Sequence, residues 1–303
     1  GTGVIRARGG ASTDRGNGGG GAIAIEYTGS LSTTVEASLS AATQTAGSSL
    51  LGGAGTVYIR RPTSTHGELV VDNSGFNGRQ TILPALGSSV AQPGSGGTRI
   101  VTDRASVPTY VVGRWVRVRD PGGTERGTWR VEAVEGVDLV LEVGATVVEG
   151  DTWEGVYRFD AVSVTGSARL HSADPISAPV LEMTSGGQLT GAPPEGVVDV
   201  TLGTADRYAT VWTPVTASGS IEIVGLSNAI DLSAPVISVR SGATLSHPSA
   251  QSLSLTADSV VIEDGASINA TARGYADAQT YPGEVLASYS TSGGSHLGEG
   301  GYQ

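Results

Sequence analysis

The chain writes one phrase twice. "APVLEMTSGGQLTG" starts at Ala178 and "APVISVRSGATLSH" at Ala234, 56 positions later. Both run as alternating aliphatics, then a short Ser/Gly corner, then one more aliphatic. The same grammar recurs in "AVSVTGSARLHS" (161–172), "GSIEIVG" (219–225) and "SVVIEDGASINAT" (259–271). Anchored on the aliphatic after the corner, Leu170 leads to Leu189 and Leu245 leads to Ile268. A period near 20 residues with one strand–corner–strand unit per repeat is the pattern of a solenoid. A single unit cannot bury its apolar row, so successive coils must stack and share it. The corner glycine supplies a positive φ without a Cβ penalty, or lets a neighbouring backbone come close.

Helical spacing of apolar residues is missing, while alternation with period two is widespread, as in Ala22–Glu26, Thr56–Arg60 and Glu68–Asp72. The expected fold is all-β: a parallel β-helix, right-handed by precedent, with a small antiparallel barrel or roll inserted. An antiparallel sandwich would also give short strands and frequent turns. Near-verbatim recurrence, and corners of single Gly with Ser or Ala instead of Asn-Gly, favour the β-helix. Three regions follow. Residues 1–75 and 158–303 carry the Gly-rich coil texture. Residues 76–157 hold Trp115, Trp129 and Trp153, clustered Arg and denser β-branched strands, and read as the insert.

Composition narrows the chemistry. Gly accounts for 46 of 303 residues, and charged residues for only 16%. The formal net charge of −11 repels phosphate backbones, which argues against nucleic acid. Lys is absent, which removes Schiff-base and isopeptide chemistry, and Cys is absent, which removes disulfides and thiolate metal sites. No apolar run reaches the roughly 20 residues of a membrane helix, so insertion in a membrane is not expected. The opening "GTGVIRARGG" lacks an initiator Met or signal peptide and begins in mid-pattern, as an excerpt or processed product would.

"GTGVIRARGG", "GGGGAIAIEY", "GGAGTVYIR", "GELVVDN" and the closing "GASINATARGY…YPG…GGSHLGEGG" resemble Gly-rich β-helical segments of very large bacterial secreted and surface proteins of the adhesin type. The resemblance covers about 1–75 and 158–303. It implies a structural or adhesive, extracellular role and no catalytic residues.

Gly18–Gly21 is followed by a strand instead of the helix a phosphate loop needs, so it reads as a corner. His296 with Glu299 could start a metal site, but His66, His171 and His247 are isolated and a zinc site needs three or four ligands. Calcium would draw on Asp72 and Asp264, with Asn73, Asp258 and Glu263 nearby in sequence, although no calcium-loop motif is present. Carboxylates Glu182, Glu222 and Glu263 recur once per coil, as an outward stripe would. Trp115, Trp129, Arg117 and Arg119, with Arg114, Arg126 and Arg130 beside them, could form a stacking surface for carbohydrate. The plainer alternative buries the alternating Val116 and Val118 and pairs the Arg with Glu125, Glu132 and Glu135.

The leading expectation is a non-catalytic structural protein without cofactors: a secreted or surface rod segment that assembles head-to-tail with itself into fibrils. The alternatives are a carbohydrate-binding adhesin module contacting extracellular polysaccharide through the insert, and a polysaccharide lyase or hydrolase on a β-helix.

Overall fold

The computed structural model describes residues 3–13, 16–44, 50–203, 209–210, 215–249, 251–271 and 273. These are all-β apart from one helical turn at Thr33–Glu36 and a 3-10 turn at Thr109–Val111. One nine-stranded sheet runs through most of the chain. Its strands lie in the order Ala22–Glu26, Thr56–Arg60, Glu68–Asp72, Ala161–Thr165, Val180–Thr184, Asp199–Gly203, Ser220–Ile223, Val236–Val239 and Ser259–Ile262. Every neighbouring pair is parallel except Thr56–Arg60 with Glu68–Asp72, which is antiparallel.

The register explains the repeated phrase. Leu181, Val200, Ile221 and Ile237 stand side by side, so the two copies are three rungs apart in one ladder. Val236–Val239 and Ser259–Ile262 are adjacent and parallel, with Ile237 opposite Val260. Shorter parallel ladders accompany the long sheet. Thr81–Leu83, Arg169–Ser172 and Gln188–Gly191 form one, and Leu226–Asn228, Thr244–Ser246 and Ser267–Ile268 belong to another. Val215–Thr216, Asp231–Ser233 and Ser254–Thr256 form a third. Leu170 is the direct partner of Leu189, and Leu245 of Ile268. Inward residues from these ladders, including Val162, Leu181, Ile221, Leu232, Ile237 and Leu245, form one cluster almost closed to solvent. Each such side chain contributes about 1.5–3 kcal/mol by leaving water.

The corners repeat as geometry too. Ala168, Gly187, Ala243 and Ala266 each donate a backbone N–H to the residue three before, Thr165, Thr184, Arg240 and Glu263, at 2.8–3.0 Å. The residue before each donor has positive φ: Ser167, Gly186, Gly242 and Gly265. One tight turn thus follows the long-sheet strand in four rungs, and Gly there avoids the steric cost of the left-handed region.

The insert is a separate antiparallel body. Strands Ser88–Val90, Arg99–Ile100, Trp115–Arg119, Glu125–Glu135, Asp138–Leu141 and Thr152–Arg158 surround a second core of Leu86, Ile100, Val116, Leu139, Leu141 and Trp153. It leaves the parallel ladders after Thr81–Leu83. It returns at Ala161–Thr165, which lies directly beside Glu68–Asp72. Tyr157–Arg158 also pairs in parallel with Ile176–Ser177, tying the last insert strand to the ladders.

Candidate functional site

The strand Trp115–Arg119 has two faces, as alternation requires. Val116 and Val118 are fully buried in the insert core. Trp115, Arg117 and Arg119 occupy the other face. Trp129 stands opposite Val116 and packs on the core side, so the two tryptophans lie on opposite faces of the sheet. A one-residue bulge separates them. Arg119 pairs with Glu125, but Trp115 pairs with Arg130, because the register shifts between Val118 and Arg119. Without that extra residue Trp115 and Trp129 would meet. A one-residue slip carries every later side chain to the other face.

The Trp115 face turns toward the parallel ladders. Arg117, with a side chain only 10% exposed, reaches Glu154 at 3.2 Å, Glu125 at 3.6 Å and Glu195 of the ladders in a closer bond. Arg119 shares Glu154. The Arg158 guanidinium lies 4.8 Å from the Trp115 ring centre, and the His66 imidazole meets that ring edge-on at 5.3 Å. Between the insert and the ladders, Arg117, Glu125, Thr128, Val156, Arg158 and Ser177 line a polar cleft of about 290 Å³. Its lining carries two guanidiniums and one carboxylate, and the Arg117 guanidinium is also paired with Glu154 and Glu195.

Two carboxylates hold the junction, and sequence reasoning missed both. Asp160 accepts the backbone N–H groups of Thr65, His66 and Gly67 at 2.8–3.0 Å. Asp174, 3% exposed, accepts the N–H groups of Leu86 at 2.6 Å and Gly87 at 2.7 Å, and pairs with Arg114 at 2.6 Å. Their backbone partners lie 87 to 95 residues away in sequence and Arg114 lies 60 away, so no local motif marks them. Arg114 also stacks on Tyr157 at 4.1 Å from the ring centre. The Tyr157 hydroxyl donates to Pro84 O at 2.6 Å, and burial pushes its pKa up to about 12.

Burial, and then the positive charge of Arg158, hold His66 below the ordinary histidine value. Since the folded pKa is depressed, the unfolded chain binds the extra proton first. The contribution of His66 to stability is therefore full above the ordinary value and is lost as pH falls through the window below it. An NMR titration is expected to place the His66 midpoint below that of a free histidine. Arg158→Gln should raise the midpoint, and an unchanged midpoint in that variant would remove Arg158 from the explanation.

The remaining candidates are dispersed. Asp72 Oδ1 accepts the Ser74 N–H at 2.7 Å, while Asp264 is exposed beside Ser259–Ile262, the edge strand among the described residues, with five long-sheet strands between theirs. Asn73 is buried and braces a turn through Thr43 N and Phe76 O. Among the described residues no three His, Asp or Glu stand together as a metal site. Glu182 and Glu222 share an outward row on the long sheet, whereas Glu263 lies off it and pairs with Arg240. His171 contacts Thr190 Oγ1, His247 contacts Pro248 O, and Arg126 pairs with Asp151. Gly18–Gly21 lies in backbone-to-backbone contact with Gly10, Gly53 and Ala7. His296 and Glu299 lie outside the described residues. No described helix is long and apolar enough to cross a membrane.

Comparison with protein-family models, with curated proteins and with solved structures finds no match to this chain.

Proposed function

We propose that the chain is a non-catalytic structural segment of an extracellular or surface rod. In this reading a parallel β-helix is wound from rungs of about 20 residues, and the antiparallel insert projects from its side as a small roll. The observation that carries it is the register. Successive repeats place aliphatic beside aliphatic in parallel ladders that share one apolar interior. Such stacking makes stability a sum of neighbour terms along an axis, which suits a mechanical element. The charged residues support the same reading, because Arg61, Arg99, Arg117, Arg119 and Arg240 each pair with carboxylates on neighbouring strands or rungs. Such pairing links neighbouring strands, and through Arg117 and Glu195 it links the insert to the ladders.

The Cys-free chain permits a direct test. Ala161→Cys and Val236→Cys, carrying nitroxides, would stand four rungs apart, a backbone separation of about 19 Å at roughly 4.8 Å per rung. A single narrow distance near that value is expected by pulsed electron resonance. Incubation with acidic and neutral polysaccharides is expected to release no reducing or unsaturated ends. A broad or much longer distance would end the β-helical reading, and released sugar ends would replace the structural role with an enzymatic one.

A further inference from the structure

The two guanidiniums that line the cleft between the insert and the ladders are held in different ways. Arg117 meets Glu125, Glu154 and Glu195. Arg158 forms no ion pair among the described residues; its guanidinium lies on the Trp115 ring, and its backbone runs beside Ser177. A ring face holds a cation in place without neutralising it or using its N–H groups as donors to an oxygen. The cleft therefore keeps one fixed positive charge whose hydrogen bonds are still to be made.

Strand register builds the rest of the wall. Thr128 and Glu154 flank Arg117, and Val156 stands beside Trp115, so Arg117, Thr128, Val156 and Arg158 share one face of the insert. Ser177, the partner of Arg158, closes the cleft from the ladders. Glu125 is exposed at the rim and accepts the Thr128 hydroxyl at 3.1 Å. This set selects a ligand. A guanidinium fork matches a carboxylate. The Thr128 and Ser177 hydroxyls and the Glu125 carboxylate suit the hydroxyls of a sugar, and about 290 Å³ leaves room for one ring. The net charge of −11 opposes a polyanion far more than a ligand with one negative charge.

We propose that this cleft binds a sugar residue carrying a single carboxylate, a hexuronic acid, with the carboxylate on Arg158 and the hydroxyls against Glu125, Thr128 and Ser177. The site needs only the contact of the insert with the ladders, so it stands apart from the β-helical reading. Trp129 lies on the opposite face and Arg119 is taken up by Glu154, so neither takes part. His66 is a built-in reporter. It touches the same Trp115 ring, with Arg158 and Arg60 opposing its proton and Asp160 favouring it. A carboxylate bound at Arg158 offsets that cation and raises the His66 midpoint.

Titration of the whole chain with D-glucuronate, followed by NMR, tests this. Saturable shifts of the Trp115 and His66 signals and a raised His66 midpoint are expected. D-Glucose should give no shift, and acetate and phosphate should bind about tenfold more weakly or worse. Arg158→Gln should weaken glucuronate by about tenfold or more, as a charge-assisted bond is lost, and glucuronate should then leave His66 unmoved. Thr128→Val with Ser177→Ala should lower glucuronate to the affinity of acetate. Hydrogen-exchange protection of Ile100, Val116 and Leu139 in the insert core checks that each variant is folded. Should Arg158→Gln lose that protection, the double variant and the ligand series decide. No shift with glucuronate overturns the proposal, as does unchanged affinity in a folded Arg158→Gln or in the double variant. Glucose or acetate binding as tightly as glucuronate overturns the sugar acid, and phosphate binding as tightly overturns the carboxylate.

Discussion

Gly55→Ala is expected to unfold the first two rungs. An alanine Cβ at that position would lie 1.7 Å from Gly21 O and 2.7 Å from the carbonyl carbons of Gly20 and Gly21. The obstacle is backbone, so no rotamer change relieves it. Gly21 O also accepts the Thr56 N–H at 3.1 Å, and Gly55 N donates to Ala41 O at 2.7 Å. Separating the chains far enough to admit a methyl group breaks both bonds. It also opens the ladder that begins with Ala22 opposite Thr56. Overpacking against adaptable side chains costs about 1–3 kcal/mol, and each buried amide left without an acceptor adds about 1–3 kcal/mol. A loss of more than about 3 kcal/mol is therefore expected for these rungs. Hydrogen exchange should show it as lost protection of Ile23, Ile25, Val57 and Ile59, with the insert core unaffected. Gly29→Ala, whose Cβ meets nothing within 4 Å, is the control, expected to stay within about 0.5 kcal/mol of wild type. Normal protection in the Gly55 variant would mean that the rungs are not in this close contact.

The same glycines show what the sequence could and could not reveal. The repeated phrases were legible because parallel stacking sets equivalent positions side by side. Leu170 with Leu189, and Leu245 with Ile268, could be picked as anchors from spacing alone, and they are direct partners. Corner glycines such as Gly242 and Gly265 do adopt positive φ. Gly20, Gly52 and Gly55 do not; they are glycine because a neighbouring backbone occupies the place of a side chain. Composition alone does not separate these two needs. Strand direction was equally hidden. "TVYIR" and "ELVVD" alternate alike, and nothing in either says that they pair antiparallel. Within the candidate site, the identities of Trp115, Trp129, Arg117 and Arg119 drew attention, but their grouping depended on one bulge residue. Period-two reasoning carries no parity across an irregular ladder.

Asp174→Ala is expected to loosen the insert from the ladders. The carboxylate is the common acceptor for two backbone N–H groups at the start of the insert and for Arg114, whose side chain is 10% exposed. Removing it strands a guanidinium and two amides away from water. Deleting one partner of a buried ion pair costs about 3–5 kcal/mol, because the other charge is left uncompensated. Asp174→Asn keeps one acceptor oxygen and should cost less. Two consequences distinguish this from general damage. First, limited proteolysis should cut near Leu86 and Gly87 while the Val180–Ile262 ladders stay protected, since their core cluster is separate from that of the insert. Second, adding Arg114→Met to Asp174→Ala should recover part of the loss, since the unpaired cation is then gone. If the double variant were less stable than Asp174→Ala alone, the main contribution of Arg114 would be its stacking on Tyr157, and Asp174 would matter chiefly through the two backbone amides. Either result would identify the contacts that hold the insert against the parallel ladders.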